Sequence, residues 1–309
     1  MLKQKILGRQ AGILTYGLTP PKATNPAEKI EEIAARQVER IGGLDIDGLV
    51  VYDIQDEAER TSEARPFPFL QTVDSSRYAD ELLAGLPLPK IIYRCVGKYS
   101  AGELSAWLGR ENGQDRFGVF VGAAAAGQQV AVTLPEAYQL RQRLNPDLLL
   151  GGVVIPERHN KYRDEHLRMV DKVQKGCRYF ISQAVYNVEA AKNVLSDYYY
   201  YCQRQEIAMV PVLINLTPCG SMKTLEFMKW LGINIPQWLE NDLMHSQDIL
   251  EQSIRLSTQI IEELLEFSLP KAIPLGCSIE SVSTRKVEIE ASVQLVKTVQ
   301  QLLAQAGSR

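Results

Sequence analysis

Residues 148–187 read as a strand, a loop, a charged helix and a second strand, and no other stretch constrains the fold as strongly. The first strand is a near-continuous apolar run that ends at Ile155, and the second ends at Gln183. The charged segment between them, residues 161–175, is predicted to form a single helix that closes at Gly176. A buried parallel strand is apolar throughout and needs a crossover before the next parallel strand, so this stretch predicts a β-α-β unit.

The same alternation of strand and helix patterns extends along the whole chain. Apolar strand patterns lie near residues 12–16, 49–52, 91–95, 117–121, 148–155, 179–182, 209–214 and 273–277. Eight such strand-helix pairs, with no Gly/Ser/Pro linker between them, favour one closed (β/α)8 TIM barrel over residues 1–309. An extra helical segment is expected near residues 236–243, between strands seven and eight. An open doubly wound sheet is less favoured, because no G-x-G-x-x-G follows the first strand.

Composition limits the partners and the compartment. A formal net charge of −3 gives no electrostatic reason to expect nucleic acid or an anionic membrane as a partner. No apolar run approaches the ~20 residues that cross a bilayer, and the basic start lacks the features of a secretory signal. Five scattered cysteines without a C-x-x-C pair indicate reduced thiols in a cytoplasmic protein. No histidine lies at metal-ligand spacing from them, so no metal site is expected, and the oligomeric state, including a homo-oligomer, stays open.

Polar residues at the carboxyl ends of the expected strands are the candidates for a functional site, because barrels of this kind place their sites there. Reading those ends gives Gly17, Asp53, Asp56, Glu57, Arg94, Gly122, Glu157, His159, Gln183 and Glu280. Gln183 offers a donor and an acceptor together, which suits the edge of a ligand ring that carries both, although it could also cap the next helix. Glu157 and His159 could act as hydrogen-bond partners of a ring system or as acid-base groups, or could be ordinary loop residues.

The downstream half of the chain resembles the methylenetetrahydrofolate reductase family. The residues that carry the resemblance are, in order, Pro156-Glu157-Arg158-His159, Lys172 before Gly176, Ile181-Ser182-Gln183, Val210-Pro211-Val212-Leu213-Ile214 and Ile235-Pro236-Gln237-Trp238. The resemblance is good over residues 148–245 and weaker from residue 15 to residue 122. It implies a (β/α)8 barrel that uses FAD to pass a hydride from NAD(P)H to methylenetetrahydrofolate.

The resemblance also implies roles for individual residues. The family's residue at Gln183 contacts folate, and its residue at His159 lies against the flavin. The residue at Lys172 helps to hold the FAD phosphates, and the one at Glu165 is an acid beside the cofactor. Glu157 is added as a substrate-binding candidate, and Gly122 as a small residue that gives a ligand room to approach.

The upstream half departs from the family pattern. The family has a catalytic glutamate three residues before a Pro-Pro pair, and here Pro20-Pro21 is kept while that position is Gly17. The family's R-G-D triplet after strand four is Val121-Gly122-Ala123 here. The sequence therefore predicts that FAD is weakly held or absent. Either another acid replaces the missing glutamate, with Asp53, Asp56 and Glu57 as the first candidates, or the reaction differs from that of the family.

The sequence and the resemblance together leave three functions open. The first is an oxidoreductase of the methylenetetrahydrofolate reductase type that acts on a folate one-carbon unit with NAD(P)H. The second is a pterin-dependent methyl transfer, and the third is a non-catalytic barrel that binds folate or a protein.

Overall fold

The strands form a closed parallel barrel, in a computed structural model that describes residues 1–58, 61–110, 116–125 and 127–307. The strand order is β1 to β8 in sequence, and β8 closes on β1. This confirms the predicted (β/α)8 barrel. The strands are β1 (Leu14–Leu18), β2 (Gly48–Val51), β3 (Lys90–Cys95), β4 (Phe117–Val121), β5 (Leu149–Val154), β6 (Cys177–Ala184), β7 (Val212–Leu216) and β8 (Leu275–Glu280).

The helices surround this barrel. They are α1 (Leu2–Leu7), α2 (Ala27–Gly42), α3 (Ser75–Arg77), α4 (Ala101–Leu108), α5 (Leu134–Leu144), α6 (Pro156–Tyr162), α7 (Glu165–Gln174), α8 (Val188–Arg204), α9 (Met222–Trp230), α10 (Gln237–His245), α11 (Ile249–Ser268) and α12 (Lys286–Gly307). The α10 helix is the extra segment expected between strands seven and eight. In the described part of the chain, no helix is both long and apolar enough to cross a membrane.

Helix α1 closes the amino-terminal end of the barrel, although the sequence pattern did not predict it. Leu2 and Ile6 of this helix are buried against the apolar side chains that fill the barrel interior. Those interior side chains include Ile13, Val50, Ile91, Phe117, Val119, Leu149, Tyr179, Ile181 and Leu213. The opposite end, where the strands finish, is the mouth of the barrel, the end at which barrels of this kind place their sites.

The prediction of one continuous helix over residues 161–175 is wrong. The chain forms two helices there, α6 and α7, which are separated at Arg163. Arg163 adopts a left-handed conformation with φ of 54°, which ends α6 and turns the chain into α7. Pro156 lies in the first turn of α6, where its missing N–H costs no hydrogen bond. This break is what sets the directions of the side chains on the two helices.

Candidate functional site

The ends of β1, β7 and β8 bring Gly17, Asn215 and Glu280 together at the barrel mouth. Gly17 and Glu280 are paired in register between β1 and β8. Asn215 donates from Nδ2 to Glu280 Oε1 at 2.5 Å. Glu280 is only partly buried as a residue, but its carboxyl is enclosed by protein atoms, and this desolvation raises its pKa. The structure thus places a carboxyl with a raised pKa beside Gly17.

The ring of Tyr52 fills the space next to Gly17. An ideal Cβ at Gly17 would lie 2.7 Å from Tyr52 Cε2, so a side chain cannot be added without moving the ring. Desolvation, together with the nearby Glu280, raises the pKa of the Tyr52 hydroxyl well above its ordinary value. Tyr52 therefore stays a neutral hydrogen-bond donor.

Several buried polar atoms near Glu280 lack partners among the described residues. The Tyr52 hydroxyl faces Glu280 and Ser278 but completes no hydrogen bond of good geometry with either. Asn215 Oδ1 and Ser278 Oγ are also buried without a partner in the described ranges. Unpaired buried polar atoms are uncommon in proteins, so these three atoms together indicate a surface at which a polar ligand can bind. The sequence pattern placed Glu280 at a strand end but indicated no role for it, and it did not indicate Tyr52 or Asn215.

Asp53 is engaged by its own chain at the end of β2. Its Oδ2 accepts hydrogen bonds from the Cys95 backbone N–H at 2.8 Å and from the Tyr99 hydroxyl at 2.9 Å. Its Oδ1 is paired with the Lys98 ammonium. Both carboxylate oxygens are therefore occupied by neighbours.

Asp56 and Glu57 lie apart from Asp53. Asp56 is exposed, and its Oδ1 accepts from the Ala58 N–H at 3.0 Å. Glu57 is partly buried, and both acids attract the Arg65 guanidinium, which partly offsets the lowering of the Arg65 pKa by burial. The structure does not gather the three acids into one cluster.

The loop after β2 carries an aromatic cluster that packs against α9. The Arg65 guanidinium carbon lies 5.4, 5.3 and 5.1 Å from the ring centroids of Phe69, Phe227 and Trp230. Phe67 packs edge-on against Phe227 at 5.4 Å between ring centroids. Because β2 and β7 are separated by β1 and β8, the loop must extend over part of the mouth to reach α9. The sequence pattern indicated only a long loop here and missed this cluster.

Gln183 and Glu157 both meet the segment that follows α9. Gln183 Nε2 donates to the Leu231 carbonyl oxygen at 2.8 Å. Burial raises the pKa of the Glu157 carboxyl to about 7, although the N–H groups of Glu157 and Asn234 favour the ionised form. Neither N–H completes a hydrogen bond of good geometry, and both carboxyl oxygens of Glu157 are buried without a partner in the described parts of the chain. At neutral pH Glu157 can therefore either donate or accept.

Glu165 and Lys172 lie between α7 and the end of β5. Glu165 is buried and accepts from the Ile155 N–H at 3.0 Å. Lys172 Nζ donates to the Val153 carbonyl oxygen at 2.5 Å, and burial lowers its pKa while Glu165 opposes the shift. The Lys172 stem packs beside Gly152, where an ideal Cβ would lie 3.2 Å from Lys172 Cδ. Both side chains thus help to dock α7 on the barrel.

His159 and Gly122 complete the candidates from the sequence. His159 is buried and faces Asp197 of α8, with Nε2 3.1 Å from Asp197 Oδ2. At the end of β4, the Gly122 carbonyl oxygen accepts from Gln55 Nε2 at 3.0 Å. A Cβ at Gly122 would lie at an ordinary contact distance of 3.6 Å from Leu134, so packing does not require glycine there.

Comparisons with known proteins agree with this architecture. The family model described as methylenetetrahydrofolate reductase matches residues 139–273. A solved structure of an uncharacterized protein from Clostridium thermocellum, which binds two copies of 5-methyl-5,6,7,8-tetrahydrofolic acid, is 58% identical. That alignment covers 98% of this chain and 100% of the other, with a TM-score of 0.89.

Other comparisons are less informative. A dihydropteroate synthase from Anaplasma phagocytophilum aligns over 96% of this chain and 99% of its own at 10% identity, with a TM-score of 0.45 that supports no argument about function. A comparison with curated proteins finds no match. The family-model match and the 58% identical structure agree, and the chain belongs to the methylenetetrahydrofolate reductase family as a divergent member.

Proposed function

We propose that this chain binds a reduced folate at the mouth of its barrel and uses NAD(P)H to reduce the one-carbon unit of that folate. The observation that carries the proposal is the 58% identical protein that binds 5-methyl-5,6,7,8-tetrahydrofolic acid. A 5-methyl folate is the product of reducing a methylene folate, so a barrel that binds it is suited to one end of that reaction.

The residues at the mouth support folate as the ligand. Gln183 and Glu157 provide adjustable donors and acceptors at one side, which suits the pterin edge. The cluster of Phe67, Phe69 and Phe227 offers flat apolar surface for aromatic rings. Arg65 supplies a cation for the acidic tail of a folate, and its Nε is buried without a partner among the described residues.

Glu280 supports the chemistry that Gly17 cannot provide. Opening the methylene bridge of the folate requires a proton on the departing nitrogen, and it leaves an iminium at the other nitrogen. A hydride from the nicotinamide then forms the methyl C–H bond, and the nicotinamide is oxidised. We assign the proton donor to Glu280, because its raised pKa lets the carboxyl hold a proton to a higher pH than an ordinary glutamate, beside the position of the missing glutamate. Asp53, Asp56 and Glu57 are the alternative acids.

The described residues do not fit a tight FAD site. Lys172 is committed to the Val153 carbonyl oxygen, and His159 is committed to Asp197. Val121 and Ala123 stand where the family has charged residues. FAD would have to displace existing contacts, so we expect it to be lost on dialysis, and the hydride is assigned to direct transfer from the nicotinamide.

The test measures 5-methyltetrahydrofolate binding by calorimetry and NAD(P)H oxidation with methylenetetrahydrofolate, after dialysis and without added flavin. The proposal expects both binding and turnover. Binding without turnover, even with added FAD, would overturn the oxidoreductase assignment and leave a folate-binding protein. Absence of binding would overturn the proposal entirely. Flavin absorbance that survives dialysis at one equivalent would contradict the weak FAD site alone.

A further inference from the structure

Two of the three histidines in the chain meet an aspartate in the helical layer outside the barrel. His159 lies on α6, His166 on the first turn of α7, and Asp197 on α8. One potential ligand atom from each of the three side chains lies within 4.8 Å of the other two. The described ranges contain no other group of three or more such side chains this close together.

The ring nitrogens of this cluster are incompletely paired. His159 is only 2% exposed, and its Nε2 faces Asp197 Oδ2 at 3.1 Å. The Nδ1 atoms of His159 and His166 are both buried without a hydrogen-bond partner among the described residues. A neutral imidazole offers one lone pair, and a buried lone pair without a partner is costly in a protein interior. The two rings pack edge to face with 5.3 Å between centroids.

The charges around the cluster favour a cation. The Asp197 side chain is 52% exposed, which keeps a carboxylate at the open side of the cluster. Arg204 opposes a cation there, whereas Asp164 joins Asp197 in favouring it.

We propose that His159, His166 and Asp197 bind a divalent transition-metal ion of the zinc type between α6, α7 and α8. Two imidazole nitrogens and one carboxylate oxygen form a donor set that zinc accepts, with ligand distances of roughly 2.0–2.2 Å. The candidate ligand atoms lie within 4.8 Å of one another, so the side chains would have to move closer together around the ion. The exposed side of Asp197 leaves a fourth position for water or another ligand. The ion would join these three helices through one shared centre.

This site is separate from the proposed folate chemistry. It uses none of Gln183, Glu157 and Glu280, so its test does not depend on turnover. The sequence pattern indicated no metal site, because positions 159, 166 and 197 come together only through the fold.

The experiment measures Zn²⁺ binding to tag-free, chelator-treated protein by competition with a chromophoric chelator. The variants are His166→Gln and Asp197→Asn, and the matched control is His245→Gln, which changes the exposed third histidine on α10. His159 is left unchanged, because its variants could fail to fold. Circular dichroism checks that each variant keeps its helices.

The expected result is one Zn²⁺ per chain in the wild-type protein and in His245→Gln. Each cluster variant should bind at least about tenfold more weakly, since even partners of metal ligands are worth 10–100-fold in affinity. Zn²⁺ should also raise the melting temperature of the wild-type protein and not that of folded cluster variants. Equal affinity in the wild-type protein and both cluster variants, or no binding to the wild-type protein at micromolar Zn²⁺, would overturn the proposal.

Discussion

The two sides of the barrel mouth differ in how their residues match the family's sequence pattern. On the side of β5 and α7, the family's residue types are kept at Glu165 and Lys172, yet both side chains bind to the backbone of β5 or of the residue that follows it. On the side of β1 and β8, the catalytic glutamate is lost at Gly17, yet Glu280 brings a carboxyl to the paired position. A retained residue type therefore does not prove a retained role, and a lost one does not prove lost chemistry.

The physical cause of the difference is the surroundings of each group. Lys172 is buried beside an available carbonyl oxygen, so its ammonium is satisfied inside the protein. Burial of the Glu280 carboxyl raises its pKa, although the Asn215 amide and the nearby Tyr52 hydroxyl both act to lower it. The carboxyl therefore holds a proton to a higher pH than an exposed glutamate, with several unpaired polar atoms nearby.

Glu280→Gln should abolish most of the reductase activity. Removing a positioned acid costs about 10²–10⁴-fold in rate, while the amide keeps the shape of the side chain. In the wild-type protein the rate should fall as the pH rises through the raised pKa of Glu280, because the acid loses its proton, and the variant should lack this dependence. Steady-state NAD(P)H oxidation across pH measures both effects. Glu31→Gln, an exposed change on α2, is the control. A rate loss confined to Asp53→Asn, Asp56→Asn or Glu57→Gln would transfer the role to the acids after β2.

Glu157 should make the folded protein less stable as the pH rises. Its pKa is raised from 4.5 to about 7, so the folded state binds the proton more tightly than the unfolded chain. The stabilisation is complete below the unfolded pKa and is lost as the pH rises through the folded pKa. The unfolding free energy can change by at most about 3 kcal/mol from this cause, at roughly 1.36 kcal/mol per pKa unit, and solvent screening reduces that amount.

Urea unfolding at about pH 5 and about pH 8 measures this effect, since the interval spans the affected range. Glu157→Gln should shrink the difference in unfolding free energy between the two pH values, whereas Glu31→Gln should retain it. An unchanged difference in Glu157→Gln would mean that Glu157 is ionised in the folded protein.

Gly17→Ala should destabilise the protein by about 1–3 kcal/mol, the usual cost of overpacking. The new Cβ would lie 2.7 Å from the Tyr52 ring, whereas the Cβ of Gly122→Ala would lie 3.6 Å from Leu134. The second variant is therefore the matched control and should be close to neutral. Chemical denaturation of both compares them directly. Equal stability of the two variants would show that the Tyr52 ring moves aside easily and does not block position 17.

Gln183→Ala should weaken 5-methyltetrahydrofolate binding by about 1–3 kcal/mol, the cost of leaving a buried polar group unpaired. Isothermal titration of the variant against the wild-type protein measures the loss, with the exposed Gln139→Ala on α5 as the control. Unchanged affinity would make Gln183 a residue that only fastens the segment at Leu231 to the barrel.

The barrel itself follows from local pattern. Buried parallel strands have to be apolar on both faces and need a helix between them, so eight apolar runs with helix signals between them leave few alternatives. The α5 helix likewise follows local signals, because Thr133 caps its start and Asn145-Pro146 comes directly after its last residue. Arg163 was missed, since a left-handed arginine has no clear sequence signal, and α1 was missed because its two buried residues form too short a pattern.

The local sequence pattern predicts the order of strands and helices and which residues stand at the strand ends. Which of those residues contact one another depends on the tertiary structure. Tyr52 fills the space beside Gly17, Glu280 reaches that place from the other end of the chain, and His159 turns toward Asp197 and away from the mouth. The reason is physical: local pattern fixes the backbone through hydrogen bonds between near neighbours. Barrel closure and helix packing, by contrast, depend on contacts between residues far apart in sequence, and those contacts set burial, charge and pKa.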